Sequence, residues 1–214
     1  MEKTKKNIAV LGCSLIFIII VTYLARFVNL IDVVALRIAA LAGLNLLNGF
    51  IAYAAMKLTK MKIRIDLKNG RQFFIGALLA CMLSLVIAII PAACGVSLIG
   101  NHTKFTWFEF IYELLFCLLI VGPVEEFVFR VYLQDAFVGL FKKRQWIGVI
   151  VSAFLFGLWH LINGSIEQVL FTFGIGLVFG FSKYKIRNCG YIGVAFGHGL
   201  YDFLNYIVRI LIVR

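Results

Sequence analysis

The amino-acid sequence predicts an all-α protein, specifically a polytopic bundle of transmembrane helices. Of its 214 residues, 63% are hydrophobic and only 14% are charged, whereas a soluble domain carries about 25% charged residues. The apolar residues form runs of about 20, the length that a helix needs to cross the hydrocarbon core of a bilayer. Only two prolines occur, and no linker-like or low-complexity stretch divides the chain. Residues 1–214 are therefore expected to form a single integral membrane domain.

About seven spans are predicted, within a range of six to eight. They cover residues 8–25, 33–56, 72–98, 107–123, 146–162, 166–182 and 190–212. The segment 124–141 either continues the fourth helix or forms a separate amphipathic piece. The first span follows three lysines, as the apolar part of a signal peptide would, but no small-residue cleavage site comes after it. An uncleaved first span is therefore expected.

The basic residues predict the orientation of these spans. They cluster in four short segments, each two spans away from the next. The segments are 3–6, 57–71, 142–144 and 183–187. Short loops rich in lysine and arginine stay on the cytoplasmic side, so all four segments and the N-terminus are expected there. Arg209 and Arg214 argue against an outside C-terminus and leave the side of the C-terminus open.

The same pattern accounts for the formal net charge of +11. Anionic lipid at the cytoplasmic surface is a second contribution, because it attracts basic segments beside the membrane. The bilayer is therefore the expected partner of the basic residues, and no nucleic-acid partner is expected.

A charged cluster, Glu125-Glu126-xxx-Arg130, interrupts the apolar background. A charged side chain at the bilayer centre costs about 2.5–3.5 kcal/mol on insertion scales, so such residues pair or line a wet cavity. On an α-helix Glu126 and Arg130 lie four residues apart on one face and are expected to pair. Glu125 points about 100° away from that face. The cluster is either an ion pair that locks one helix or a supporting pair beside a candidate base, Glu125.

His160 ends the next apolar run of the sequence. The basic turn around Lys143 joins the predicted helix 124–141 to the predicted helix 146–162. Glu125 precedes Lys143 by 18 residues and His160 follows it by 17. An antiparallel hairpin would therefore bring this carboxylate and this imidazole to nearly equal depth. The alternative is a histidine that only forms hydrogen bonds at the membrane interface.

A third polar group lies in the last predicted span. His198, Asp202 and Asn205 stand at positions i, i+4 and i+7, so all three share one helical face. Three polar side chains on one stripe of an apolar span do not face lipid. They either hold helices together or line a cavity.

Two reaction classes fit these residues. In the first, a carboxylate and a histidine activate water as general bases, and the second histidine face binds the developing oxyanion. In the second, a metal ion lowers the pKa of water. Its ligands would be four dispersed residues, Glu125, Glu126, His160 and His198. The sequence has no HExxH helix of the common zinc proteases, and none of its five cysteines forms a CxxC pair. No cofactor is therefore expected, with a metal ion as the alternative.

Three ordered motifs in this sequence resemble those of the CAAX-protease and bacteriocin-processing family of intramembrane proteases, also called CPBP or Abi. They are Glu125-Glu126-xxx-Arg130 for EExxxR, Phe156-xxx-His160 for FxxxH, and His198-xxx-Asp202 for a histidine followed four residues later by Asn or Asp. The resemblance covers about residues 120–206. It implies a catalytic core over 106–210, preceded by motif-free N-terminal spans over 1–105.

The resemblance implies a glutamate-type intramembrane endopeptidase. In such an enzyme Glu125 and His160 would activate the hydrolytic water, and His198 and residue 202 would stabilise the oxyanion. The supporting residues would be Glu126, Arg130, Phe156 and Asn205. An ionised aspartate cannot donate a hydrogen bond. Asp202 would therefore be protonated, or orient His198, or leave the donor role to Asn205.

The substrate implied by the resemblance is a membrane-associated peptide or protein. The site is expected to face the cytoplasmic half of the membrane of a prokaryotic cell. The alternative is a non-enzymatic membrane protein, an immunity or scaffold protein of the bacteriocin self-immunity type. In that protein the same polar residues would only hold helices together.

Overall fold

The computed structural model of the protein describes residues 2–66, 69–162 and 164–211. The parts of the predictions above that fall on residues 1, 67–68, 163 and 212–214 lie outside the described residues. Arg214 and the end of the span 190–212 are among them. Within the described ranges the regular structure is helical and no β-strand occurs. The all-α prediction is confirmed.

The helices follow one another with short connections. In chain order they are α1 (Glu2–Leu24), α2 (Val34–Thr59), α3 (Arg71–Leu83, continued by Ser84–Ile89 and Ile90–Ala93), α4 (Trp107–Phe116, Cys117–Val121 and Gly122–Glu126), α5 (Phe127–Gln134 and Asp135–Leu140), α6 (Gln145–His160), α7 (Ile166–Lys185) and α8 (Tyr191–Leu211). A 3₁₀ segment, Ala25–Leu30, follows α1. Residues 107–140 are helical throughout, so the segment 124–141 continues the fourth helix.

Four helical segments are long and apolar enough to cross a membrane by length and composition. They are Lys5–Leu30, Val34–Thr59, Arg71–Ala93 and Ile166–Lys185. Large apolar side chains project outward from the first two, as on Phe17 at 58% exposure and Phe50 at 65%. Such a surface suits lipid, and the chain is a helical integral membrane protein. The count of about seven spans stays a prediction, because the other candidates are shorter or carry the charged residues.

The third predicted span, 72–98, is too long at its C-terminal end. The structure ends α3 at Ala93, with Cys94 as the C-cap. Gly95 follows with φ +80°, a left-handed conformation that glycine adopts without strain and that commonly terminates helices. The apolar run continues past this stop, which is why hydropathy alone overestimates the helix.

The chain divides into two compact units, each made of two separate stretches. Unit 1 comprises Met1–Arg64 and Phe127–Tyr184, and unit 2 comprises Ile65–Glu126 and Lys185–Arg214. The chain passes from unit 2 to unit 1 between Glu126 and Phe127, inside the charged motif. The single domain over 1–214, and its division into 1–105 and 106–210, stay predictions.

Unit 1 contains an antiparallel hairpin of α5 and α6. Gly148 leaves no room for a Cβ atom beside the backbone of Val138, and these residues lie five positions on either side of Lys143. Further along, Ser152 Oγ donates to the carbonyl of Phe129 at 2.5 Å. The predicted hairpin is confirmed within this unit.

Helix α7 packs onto α6 through small residues. A Cβ atom on Gly176 would lie 3.2 Å from the Cα atom of Ala153, and one on Gly180 would lie 3.0 Å from Val149. Small residues spaced four apart let helix backbones approach closely. The pattern Gly176-xxx-Gly180 therefore supports helix packing, which needs no functional role.

Unit 2 is organised around α8, which packs against α3 and α4. At the α3 contact, Gly76 faces the backbone of Gly193 and Gly197 so closely that a Cβ atom would collide with the Gly193 carbonyl. Both faces of α8 are therefore constrained by helix contacts. The face toward α4 carries the polar residues described next.

Candidate active site

Within unit 2, three carboxylates surround one buried imidazole. His198 Nδ1 lies 3.0 Å from Glu126 Oε1, and His198 Nε2 lies 3.4 Å from Asp202 Oδ2 and 3.8 Å from Glu125 Oε2. Glu126 is fully buried and His198 is 4% exposed. Buried charged groups need partners because their desolvation is expensive. These four residues form a linked polar cluster, hereafter the carboxylate–histidine cluster.

The hydrogen bond from His198 to Glu126 fixes the imidazole ring. Because a carboxylate accepts and does not donate, His198 Nδ1 carries the proton in that bond. The other ring nitrogen, Nε2, faces Glu125 and Asp202. The sequence predicted that Glu126 pairs with Arg130, and it did not predict the contact between Glu126 and His198.

Asp202 is the more open member of the cluster, with 30% of its side chain exposed. It lies one turn after His198 on α8, and its Oδ2 atom is 3.4 Å from the ring nitrogen that faces Glu125. Of the three roles considered for Asp202, this contact fits the orientation of His198. Asn205 lies on the same helix and is half-buried, and none of the contacts described for the cluster involves it.

Close packing between α4 and α8 brings the cluster together. A Cβ atom on Gly122 would lie 2.5 Å from the carbonyl oxygen of Ala195 and 2.6 Å from the amide nitrogen of Gly199. Tyr191 Oη also donates to the carbonyl of Pro123 at 2.9 Å. These contacts place the turn that carries Glu125 and Glu126 directly against the face of α8 that carries His198.

Unit 1 holds the other motif residues. His160 is the last residue of α6, and its Nδ1 lies 2.8 Å from the carbonyl oxygen of Phe156. A carbonyl can only accept, so Nδ1 carries the proton and Nε2 of a neutral ring is an acceptor. The Phe156 ring packs edge-on against the imidazole, with centroids 4.7 Å apart. His160 is therefore held with its basic nitrogen directed away from its own helix.

Arg130 also lies in unit 1, fully buried. Its guanidinium carbon is 5.0 Å from the centroid of the Phe156 ring, a cation–π distance. Lys183 Nζ donates to the Arg130 carbonyl at 2.9 Å and to Asp135 at 2.6 Å. The arginine of the first motif therefore touches the phenylalanine of the second, which the sequence did not predict.

The helix around Arg130 is not an α-helix. Phe127–Gln134 is π-helical, as is Cys117–Val121 before the glutamates. A π-helix forms i→i+5 hydrogen bonds, so the i,i+4 argument for Glu126 and Arg130 does not hold in the form in which it was made. The pair itself stays a prediction.

The predicted meeting of Glu125 and His160 also stays a prediction, because the two residues belong to different units. Within unit 1 the hairpin brings the rings of Phe129 and Phe156 to 5.0 Å between their centroids. These residues lie 14 before and 13 after Lys143.

The alternative of a metal ion concerns Glu125, Glu126, His160 and His198. Among the described residues, no group of three or more His, Cys, Asp or Glu side chains is arranged to hold a metal ion. The cofactor-free reaction stays a prediction.

Fold and site together define a helical integral membrane protein with a buried carboxylate–histidine cluster between two of its helices. Residues 106–204 match the family model described as "Type II CAAX prenyl endopeptidase Rce1-like". This segment is similar to that family of CAAX-type proteases, and the match confirms the resemblance drawn from the three motifs. Comparisons with curated proteins and with solved structures gave no significant match.

Proposed function

We propose that this protein is an intramembrane endopeptidase that hydrolyses a peptide bond of a membrane-associated peptide or protein. One observation carries the proposal. A buried histidine, His198, is contacted by three carboxylates inside the segment that matches an endopeptidase family. A protease needs a base for water and a donor for the oxyanion, and this cluster contains candidates for both roles.

Glu125 is the proposed general base, assisted by His160. Glu125 accepts a proton from water, the resulting hydroxide attacks the peptide carbonyl carbon, and a tetrahedral oxyanion forms. Nε2 is the acceptor nitrogen of a neutral His160 ring, because Nδ1 donates its proton to the Phe156 carbonyl. When the C–N bond breaks, the proton held by Glu125 passes to the leaving amine nitrogen.

His198 is the proposed oxyanion donor through Nε2, and because Nδ1 also carries a proton, the ring acts in its doubly protonated form. Glu126 accepts from Nδ1 and so prevents rotation of the ring. Asp202, at 3.4 Å from Nε2, orients the ring before substrate binds. A preorganised donor stabilises a developing oxyanion more than a mobile one. Arg130 and Phe156 support the site through their cation–π contact.

The proposed location of this site is the cytoplasmic half of the membrane of a prokaryotic cell. Support comes from the four basic segments, which all lie at the same side when the spans alternate. The proposed reaction uses no metal ion. The substrate is a peptide or protein in or at the bilayer, and whether it is prenylated is decided by the experiment below.

The decisive experiment is cleavage by the purified full chain in detergent. Three internally quenched peptides would be compared: a farnesylated CAAX peptide, the same peptide without the lipid, and a membrane-bound precursor-type peptide. We expect Glu125→Gln to lower kcat/KM on the preferred peptide by about a hundredfold to ten-thousandfold, the range of general base catalysis. Glu167→Gln, at an exposed glutamate, is the matched control and should keep wild-type activity. Equal cleavage by wild type and Glu125→Gln would exclude Glu125 as the base, and no cleavage of any of the three peptides by the wild type would overturn the proposal and favour a scaffold role.

A second experiment tests whether cleavage depends on a metal ion. We expect EDTA and 1,10-phenanthroline to leave the wild-type rate unchanged. Loss of activity that stoichiometric zinc restores would replace the cofactor-free reaction with one that uses Glu125, Glu126, His160 and His198 as ligands.

A further inference from the structure

The indole of Trp159 connects the end of α6 to the first helix of the chain. Its Nε1 donates to Thr22 Oγ1 at 2.6 Å. Thr22 lies on α1, is 7% exposed, and itself donates to the carbonyl of Ile18 at 2.8 Å. All of these residues belong to unit 1. A residue of the motif-free N-terminal spans therefore bonds the residue next to His160.

A third helix completes this connection. Asn48 of α2 is 4% exposed, and its Nδ2 donates to Thr22 Oγ1 at 3.2 Å. A threonine hydroxyl has one proton and two acceptor sites. The proton goes to Ile18, and the two acceptor sites take Trp159 and Asn48. The hydroxyl is therefore fully used and has one orientation.

The position of Trp159 matters because His160 is the final residue of α6. The last turn of a helix lacks partners for its carbonyls and frays. The indole is also packed against Phe129, with ring centroids 5.1 Å apart, and meets the imidazole edge-on at 5.4 Å. One hydrogen bond and one ring contact therefore hold the turn that carries His160.

We propose that Thr22 and Asn48 are positioning residues, which set the orientation of the His160 ring through Trp159. The inference rests on the proposed function, because it takes His160 as an assistant of the general base. It assigns a role in the reaction to residues of 1–105, outside the segment that matches the family. Neither residue touches the imidazole, so each acts through the indole.

The first test is steady-state kinetics of full-length variants in detergent. Thr22→Val removes the hydroxyl at nearly constant volume and should lower kcat about tenfold, because small misplacements of reacting groups carry large rate losses. KM should stay within about twofold, and Thr22→Ser should restore the rate. Thr172→Val is the matched control. The hydrogen bonds described for the Thr172 hydroxyl go only to carbonyls of its own helix, those of Gln168 and Val169, and we expect no change.

Trp159→Phe is the second variant. It keeps a ring against Phe129 but lacks the N–H donor, and it should reproduce the loss of kcat even where Thr22→Val folds poorly. Wild-type kcat in both Thr22→Val and Trp159→Phe would overturn the inference. The proposed function is tested separately, by the cleavage rate of Glu125→Gln.

A readout independent of turnover uses the imidazole itself. In protein labelled with ¹⁵N-histidine, the His160 signals are those that His160→Gln removes. We expect Thr22→Val and Trp159→Phe to shift or broaden these signals and Thr172→Val to leave them unchanged. Unchanged His160 signals in both variants would overturn the inference. This readout does not depend on whether Glu125 is the base.

Discussion

The two histidines of the motifs are held in opposite ways. His198, in unit 2, has a carboxylate at each ring nitrogen and is almost fully buried. His160, in unit 1, is half-buried, and its described contacts are a backbone carbonyl of its own helix and aromatic rings. The first ring is fixed by charge and hydrogen bonds, and the second by packing at a helix end.

The difference predicts that substitutions at the two histidines have different effects on stability. A group bonded to buried carboxylates contributes to folding as well as to chemistry, because its removal leaves charge without compensation. The contacts described for the second ring are neutral ones, a backbone carbonyl and aromatic rings, so its removal leaves no buried charge without compensation. Substitutions at the two histidines should therefore resemble each other in activity and differ in stability.

The largest combined effect is expected for His198→Gln. It removes the donor to Glu126 and the group facing Glu125 and Asp202, so we expect the free energy of unfolding to fall by about 3 kcal/mol. Activity should fall by about a hundredfold or more. SDS titration of the purified protein measures the first and peptide cleavage the second. Wild-type stability would show that the carboxylates do not depend on the imidazole.

His160→Gln is expected to separate the two properties. Activity should fall by about a hundredfold to ten-thousandfold if His160 assists the base. The free energy of unfolding should change by less than about 1 kcal/mol, the net value of one hydrogen bond. The same SDS titration and cleavage assay apply. A loss of stability as large as that of His198→Gln would mean that both rings have structural roles.

Much of this arrangement could be predicted from sequence. The helix periodicity placed His198 and Asp202 on one face of α8, and the count from Lys143 predicted the hairpin of α5 and α6. Both depend on local spacing. The contact between Glu126 and His198 could not be predicted in this way, because it depends on how closely α4 approaches α8.

Gly122 is the residue in the sequence that could have indicated the close approach of α4 to α8. It stands three residues before Glu125, and its partner Gly199 directly follows His198. The sequence showed both glycines but not that they face each other. The π-helical turn at Phe127–Gln134 was also not predictable, since periodicity assumes a uniform α-helix. The i,i+4 spacing expected for Glu126 and Arg130 is that of an α-helix, whereas Arg130 lies in a π-helical segment.

Gly122→Ala tests this approach directly. The added Cβ atom would meet backbone atoms of Ala195 and Gly199, which cannot rotate away, so α4 and α8 must separate. We expect a loss of about 1–3 kcal/mol in unfolding free energy and a loss of activity of about a hundredfold. Gly174→Ala is the control, because its added Cβ position has no described atom within 4 Å apart from the adjoining backbone of its own helix. Equal behaviour of the two variants would contradict the close contact.

The smallest effect is expected for Asp202→Asn, which tests the role of the one cluster carboxylate that is partly exposed. If Asp202 orients His198, an amide oxygen can accept the same Nε2–H bond and its NH₂ group can also donate to an oxyanion. We therefore expect kcat within about tenfold of wild type. Asp202→Ala, which removes the acceptor as well, should lower kcat about a hundredfold.

Asn205→Ala should change kcat little, because the contacts described for the cluster do not include Asn205. A severe loss in Asp202→Asn would show that the carboxylate charge itself is needed, and a severe loss in Asn205→Ala would return the donor role to that amide.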